Sequence, residues 1–265
     1  MKWSFILFLP ALVSAIWALA TVTVKRRPTR AQVVLSLMLL IEAISMTVLS
    51  IFFRGREGQL FIYDFMFEVL ALICAPMYYV GVCAHTEARG ATLEQRRVFL
   101  IPLLFIVGLT VGAFWLGPRR YEVMCYAIRE GEIDWVAGDS AWNFMLFWDH
   151  WLFPVLLVVM SFILIVMANS KLHRYQQRFN SYYAEDMNIP FSNSRGFIVL
   201  AWMFLPLAAL VFFAIDFRPH YYKYWLIVCS LLLTVLQYIT GRFVYRMKYD
   251  ARMLADYIRN KNLES

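Results

Sequence analysis

Seven long apolar runs constrain the fold of this chain more than any other feature. Each is close to the 20 or so residues that an α-helix needs to cross the hydrocarbon core of a bilayer. Hydrophobic residues make up 62% of the 265 residues and charged residues 16%, against about 45–50% and 25% in soluble domains. The runs are Trp3–Val24, Val33–Phe53, Leu60–Ala84, Val98–Leu116, Phe147–Asn169, Phe197–Ile215 and Tyr224–Gly241. This pattern predicts an all-α, polytopic membrane protein with seven transmembrane helices.

The distribution of Lys and Arg between the runs predicts the orientation. With the N-terminus outside, the inner segments hold about 17 basic residues and the outer segments about 8. This ratio favours an outside N-terminus and a cytoplasmic C-terminus in a multi-pass protein of the cytoplasmic membrane. We expect residues 1–241 to form the transmembrane domain and residues 242–265 a cytoplasmic helical tail. The first run also resembles a signal peptide. Cleavage would leave basic residues such as Lys25 outside, against the excess of Lys and Arg on the inner side, so we predict an uncleaved first helix.

Ionisable side chains within the apolar runs are costly and mark candidate functional residues. Glu42 lies near the middle of the second run, and Asp64 and Glu68 lie one helical turn apart in the third. Asp149 and His150 lie at the outer start of the fifth run. Together these five residues predict an outward-facing pocket that would bind a cationic or polar ligand, a metal ion or a proton.

The alternative is that these residues are structural. Asp64, Asp149 and His150 would then lie at the membrane interface, and the carboxyls of Glu42 and Glu68 would be hydrogen-bonded to helix hydroxyls. A retained polar group within a membrane helix need not bind anything.

Sequence signatures of enzymes and cofactor sites do not occur in this chain. The patterns HExxH, GxSxG, Walker A and GxGxxG are absent, so we predict no catalytic residue, no metal-ligand set, no cofactor and no enzymatic activity. Cys74, Cys83, Cys125 and Cys229 lack metal-site spacing and are expected to be small buried hydrophobes. A Cys125–Cys229 disulfide on the outer side is the alternative.

Three segments together resemble the seven-helix membrane sensor region of Bacteroidetes-type AraC-family regulators and histidine kinases. They are Cys74-Ala75-Pro76-Met77-Tyr78-Tyr79, then Leu100-Ile101-Pro102-Leu103, then Arg174-Tyr175-Gln176-Gln177-Arg178-Phe179-Asn180-Ser181 followed by Glu185-Asp186. The resemblance implies that the chain is an input module. In that family a helix-turn-helix domain or a kinase core follows, whereas about 24 residues follow the last run here. The chain would then be truncated, or it would signal through a partner.

We therefore predict a sensory or receptor-like membrane domain that transmits a signal to a cytoplasmic transcriptional or kinase output. Its partners would be the lipid bilayer, an unknown extracytoplasmic ligand, and a second copy of the chain or a cytoplasmic output protein. Arg174, Arg178 and the tail from Arg242 would relay the signal. We predict that the basic inner loops contact anionic headgroups and that the chain itself binds no nucleic acid.

Two other function classes compete with a sensor. A small transporter or channel for a cation, proton or polar solute would use the same acids and would need a continuous polar path to the inner side. A membrane enzyme would need a nucleophile and base that the sequence does not display.

Overall fold

The computed structural model describes residues 8–25, 28–54, 59–87, 93–130, 134–183 and 222–247, together with Ile6 and Ala201. Every regular element in these residues is helical. The predicted all-α fold is therefore confirmed for this part of the chain.

The described residues form nine α-helices, and a π-helical segment joins the seventh helix to the eighth. The α-helices are α1 (Phe8–Thr23), α2 (Arg30–Arg54), α3 (Leu60–Thr86), α4 (Leu93–Arg97), α5 (Leu100–Leu116), α6 (Pro118–Glu130), α7 (Ser140–Leu146), α8 (Phe153–Tyr183) and α9 (Tyr222–Arg246). The π-helical segment is Phe147–Leu152.

Five helical stretches are long and apolar enough to cross a membrane. They are Arg30–Arg54, Leu60–Thr86, Glu94–Leu116, Ser140–Gln177 and Leu226–Arg246. Helix α1 is apolar but shorter. These lengths and compositions fit a multi-span membrane protein. The predicted sixth span, Phe197–Ile215, and the tail beyond Met247 lie outside the described residues, so seven spans and the orientation of the termini stay predictions.

Close helix packing is achieved through small residues. Helix α2 packs against α3 and α1, α1 also packs against α9, and α3 packs against α8. A Cβ atom added at Gly81 of α3 would collide with Leu35 of α2, and one added at Gly241 of α9 would collide with Trp17 of α1. Glycine therefore allows these helix pairs to approach closely, as small residues do within membranes.

Large apolar side chains also cover the outer faces of the bundle. Phe114 is 85% exposed, and Leu104 and Phe162 are each 68% exposed. Exposed apolar surface on several long helices is unfavourable in water and favourable in hydrocarbon. The surface thus agrees with the spans that the helix lengths indicate.

The bundle has two distinct ends, which we name after the helices that lie there. At the α6 end, Glu122 of α6 contacts the start of α3. At the α4 end, α4 contacts α3, and the end of α9 lies against the start of α2. Helices α3 and α8 extend between these two ends.

Candidate functional site

Three carboxyl groups converge at the α6 end of the bundle. Asp64 and Glu68 project from successive turns of α3, and Asp149 projects from the π-helical segment. The Asp149 carboxyl lies within hydrogen-bonding reach of the carboxyls of both Asp64 and Glu68. We call these three residues the carboxyl cluster. Sequence reasoning predicted all three, but only the tertiary fold shows that the two helices bring them together.

The carboxyl cluster lines a cavity that is otherwise mainly apolar. His150 is the fourth polar residue in its wall. The apolar lining residues are Leu49, Phe52, Phe53, Phe67, Ile128 and Phe153. The cavity has a volume of about 30 Å³, which is room for roughly two waters.

Burial distinguishes these groups from ordinary interfacial residues. Glu68 is 2% exposed and Asp149 is 3% exposed. The atoms Glu68 Oε2 and Asp149 Oδ2 accept no hydrogen bond from any N–H or O–H donor in the described part of the chain. Three carboxyls at this proximity, away from water, can all be ionised only if a cation lies among them, and otherwise at least one of them holds a proton. The arrangement therefore favours a positively charged occupant.

The π-helical segment aims Asp149 and His150 inward. Both side chains are buried, whereas Phe147 and Trp151 in the same segment are about half exposed. A π-helical turn widens the helix by one residue and is frequent at functional sites. Here it allows two consecutive polar side chains to line one cavity, although the whole stretch from Ser140 to Gln177 is helical.

Helix α6 adds two hydrogen-bond donors to the cluster. The Tyr121 hydroxyl donates to Asp64 Oδ2 at 3.2 Å, and the Cys125 thiol lies 3.6 Å from the same oxygen. Burial, and next the Asp64 carboxyl, raise the pKa of the Tyr121 phenol and of the Cys125 thiol well above their usual values. Both groups therefore keep their protons and remain donors toward Asp64.

Helix α6 is fixed in place by polar contacts at two points. Glu122 accepts hydrogen bonds from the backbone N–H groups of Leu60 and Phe61, at 3.0 and 3.1 Å, and so caps the start of α3. Arg120 forms an ion pair with Asp139, the residue that caps α7. Helix α6 therefore covers the cavity and is attached both to α3, which carries Asp64 and Glu68, and to the start of α7, which continues into the π-helical segment with Asp149.

Glu42 is not among the residues that line this cavity. Its Oε1 accepts a hydrogen bond of 2.7 Å from Gln237 Nε2 of α9, and both side chains are almost completely buried. The structure thus brings together four of the five predicted pocket residues and places Glu42 in a separate pair. The partner of Glu42 is an amide rather than a helix hydroxyl.

A second polar group, which we call the Lys171 network, lies at the α4 end. Lys171 Nζ of α8 donates to Glu87 Oε1 at 2.6 Å and to Glu94 Oε2 at 3.2 Å. The Tyr79 hydroxyl of α3 donates a hydrogen bond of 2.6 Å to Glu94 Oε1, and the Gln95 amide donates one of 3.1 Å to Glu87 Oε2. This network joins α8 to α4 and to the end of α3.

The predicted relay residues differ in how far the structure describes them. The Arg174 side chain is exposed and close enough to Glu94 to act on its charge. Arg178 lies on α8, but its side chain is outside the described residues. Arg242 is exposed on α9. Lys171, at the start of the same basic stretch, was not among the predicted relay residues, although it forms the ion pairs with Glu87 and Glu94.

A third polar group holds the end of α9. Gln32 Nε2 donates to the carbonyl oxygens of Val244 and Met247 at 2.8 and 3.0 Å, and also to that of Tyr245 at 3.2 Å. Lys25 Nζ donates to the Met247 carbonyl at 2.6 Å and to Gln32 Oε1 at 2.8 Å. We call this the Gln32 clasp. It satisfies helix-terminal carbonyls that would otherwise lack partners.

Neither a disulfide nor a metal-ligand set is found among the described residues. All four cysteines are buried free thiols, so no Cys125–Cys229 bridge is present. No group of three His, Cys, Asp or Glu side chains in the described part of the chain is arranged to hold a metal ion. Comparison of the chain with protein-family models, curated proteins and solved structures finds no match. The resemblance to the Bacteroidetes-type sensor region therefore stays a prediction.

Proposed function

We propose that this chain is a sensory domain of the cytoplasmic membrane. The α6 end would face outward and receive the signal at the carboxyl cluster. The α4 end would face the cytoplasm and transmit the signal to an output partner that controls transcription or kinase activity. In this orientation the N-terminus lies outside, the chain has seven spans and the tail is cytoplasmic.

One observation carries the proposal. The two helical elements that supply the carboxyl cluster are the same two that meet at the Lys171 network. Helix α3 carries Asp64 and Glu68 near its start and Tyr79 near its end, while the π-helical segment and α8 carry Asp149 and Lys171. A ligand that shifts α3 relative to α8 at one end would also alter the contacts between them at the other.

Such a response requires a ligand that binds two arrangements of these helices with different affinities. Pro76, inside α3 between Glu68 and Tyr79, removes one backbone hydrogen bond and provides a position at which the helix can bend. Lys171 has two acceptors on separate backbone segments, Glu87 and Glu94, so a small displacement of α8 changes which contacts are made. Arg174, Arg178 and Arg242 would present the change to the output partner.

A test of this coupling places a fluorescent probe at the α4 end and a mutation at the α6 end. Gln177 is exposed, so a Gln177→Cys variant accepts a thiol-reactive dye, while the four native thiols are buried. Asp149→Asn should shift the emission of this probe, because it removes a charge from the cluster. Asp134→Asn, an exposed site at the same end, is the matched control.

Lys171→Met should abolish the shift that Asp149→Asn causes, since it breaks the connection between α8 and Glu87. Equal emission spectra for Asp149→Asn and the unaltered protein would contradict the sensory proposal. The variants are compared in lipid nanodiscs, with circular dichroism confirming that each one is folded.

The buried Glu42–Gln237 pair favours a second candidate, a transporter or channel for a cation, proton or polar solute. Glu42 lies halfway along α2, and its Oε2 accepts no hydrogen bond from the described residues. It could bind a cation, proton or polar solute partway between the two ends of the bundle. Uptake of rubidium ions or protons into proteoliposomes, lost in Glu42→Gln, would support transport.

A further inference from the structure

We infer that the cavity beside the carboxyl cluster binds a small primary alkylammonium ion. This inference builds on the proposed function, because it names the chemical class of the signal that the same site would receive. It follows from three properties of the cavity: its unpaired acceptors, its aromatic wall and its size.

The first property is an excess of acceptors over donors. Among the described residues no Lys or Arg forms an ion pair with Asp64, Glu68 or Asp149. Glu68 and Asp149 both line the cavity, and Glu68 Oε2 and Asp149 Oδ2 have no donor among the described residues. Tyr121 and Cys125 supply donors to Asp64 alone. A buried acceptor without a partner is costly. The one basic side chain among the lining residues, His150, acts on the Asp149 charge, so Glu68 above all would be satisfied by a positively charged group with several N–H donors.

The second property is the aromatic wall. Four phenyl rings, those of Phe52, Phe53, Phe67 and Phe153, line the cavity. The Phe67 and Phe153 rings pack edge to face, with centroids 6.1 Å apart. Phenyl rings attract organic cations through their faces and bury hydrocarbon, but they cannot replace the oxygen ligands of a hydrated metal ion.

The third property is the small size of the cavity. Space for roughly two waters fits an ammonium group with a short alkyl chain. Ile128 of α6 covers the cavity, and α6 is attached to α3 through Glu122. The ammonium group would donate to Glu68 and Asp149, and the alkyl group would lie against the phenyl rings.

The test measures equilibrium binding of radiolabelled methylammonium to the full chain in nanodiscs. Saturable binding is expected, with competition by unlabelled methylammonium and weaker competition by propylammonium, whose longer chain exceeds the space for two waters. Tetramethylammonium has the same charge but no N–H donor and is also larger, so it should compete at least about tenfold more weakly than methylammonium. Sodium chloride at equal ionic strength should not compete, because it only screens surface charge.

Three variants localise the binding. Glu68→Gln should weaken methylammonium binding at least about tenfold, since it removes one charged acceptor. Ile128→Phe keeps every acid and fills the cavity, so it should also weaken binding. Asp134→Asn carries a comparable change outside the cavity and should bind as the unaltered protein does.

Absence of saturable binding by the folded chain would overturn the inference. So would equal binding by Glu68→Gln, or equal competition by tetramethylammonium. These results are independent of the Gln177 probe: binding without any change at the α4 end defeats the sensory proposal alone, whereas coupling without methylammonium binding defeats only the ligand assignment.

Discussion

The two ends of the bundle differ in how their acidic side chains are partnered. At the α4 end, Glu87 and Glu94 share Lys171, and the carbonyls that end α9 are satisfied by the Gln32 clasp. At the α6 end, three carboxyls face one another, and two of their oxygens accept no hydrogen bond from the described residues. Satisfied polar groups stabilise a fold, whereas unsatisfied ones persist where function requires them. The α4 end therefore has the contacts of a structural junction, whereas the α6 end keeps the unsatisfied acceptors on which the proposed ligand site rests.

The largest expected effect comes from breaking the Gln32 clasp. Gln32→Leu keeps the approximate size of the side chain and removes the Gln32 donor from three carbonyls at the end of α9, of which Met247 keeps Lys25 and Val244 keeps only the 3.3 Å bond from the Met247 N–H. We expect unfolding to become easier by about 3 kcal/mol, because each such group costs about 1–3 kcal/mol. Thermal unfolding in detergent measures the change. Gln177→Leu, the same substitution at an exposed position of α8, should leave the melting temperature nearly unchanged.

A smaller loss is expected from the Lys171 network. Lys171→Met leaves Glu87 and Glu94 without their cation, and the side chain of Lys171 is 19% exposed. We expect a loss of about 1.5 kcal/mol, since water partly solvates the two carboxylates. Lys171→Arg should recover part of the stability. If Arg174→Met, at an exposed neighbouring position, lowered the stability equally, the loss would come from removing a positive charge from this end of the bundle rather than from the contacts of Lys171.

The smallest expected change is a gain in stability rather than a loss. Glu68→Gln removes one of three facing carboxyls at the α6 end, and so relieves repulsion without emptying the site. We expect the ligand-free protein to be stabilised, by less than about 1 kcal/mol. The melting temperature in an amine-free buffer measures this gain. A clear decrease would mean that Glu68 is a structural residue like Lys171, and the contrast between the two ends would disappear.

The sequence predicted the helices well because a membrane imposes a simple rule on length and polarity. The third run was predicted to begin at Leu60, and α3 begins there. Asp64 and Glu68 were predicted to share a helix face because they are four residues apart, and both line the cavity. These inferences depend only on spacing along one helix.

The remaining features depend on how helices rotate and pack. Glu42 was predicted to line the same pocket as Glu68, but position along a helix does not specify the direction in which a side chain points, and Glu42 faces Gln237 of α9. No sequence signal identifies the π-helical segment at Phe147–Leu152. Gln32 and Gln237 could have been noticed, since an amide among apolar residues generally needs a partner.

A signal for α6 was present in the sequence and was missed. Buried Tyr121, Met124, Cys125 and Ile128 follow one another at helical intervals in the segment between the fourth and fifth runs. No helix was predicted for this segment. Its periodicity could have predicted an amphipathic helix, but not that Tyr121 and Cys125 contact Asp64.

The Gln32 clasp also has a consequence for protein engineering. Because Lys25 and Gln32 both donate to the carbonyl of Met247, the position of this residue is set by the end of α1 and the start of α2. A fluorescent protein fused a few residues beyond this point would report tilting of these two helices through its polarisation. In a Gln32→Leu variant the same fused protein should rotate more freely, so the drop in its polarisation would measure how strongly the Gln32 clasp holds this residue.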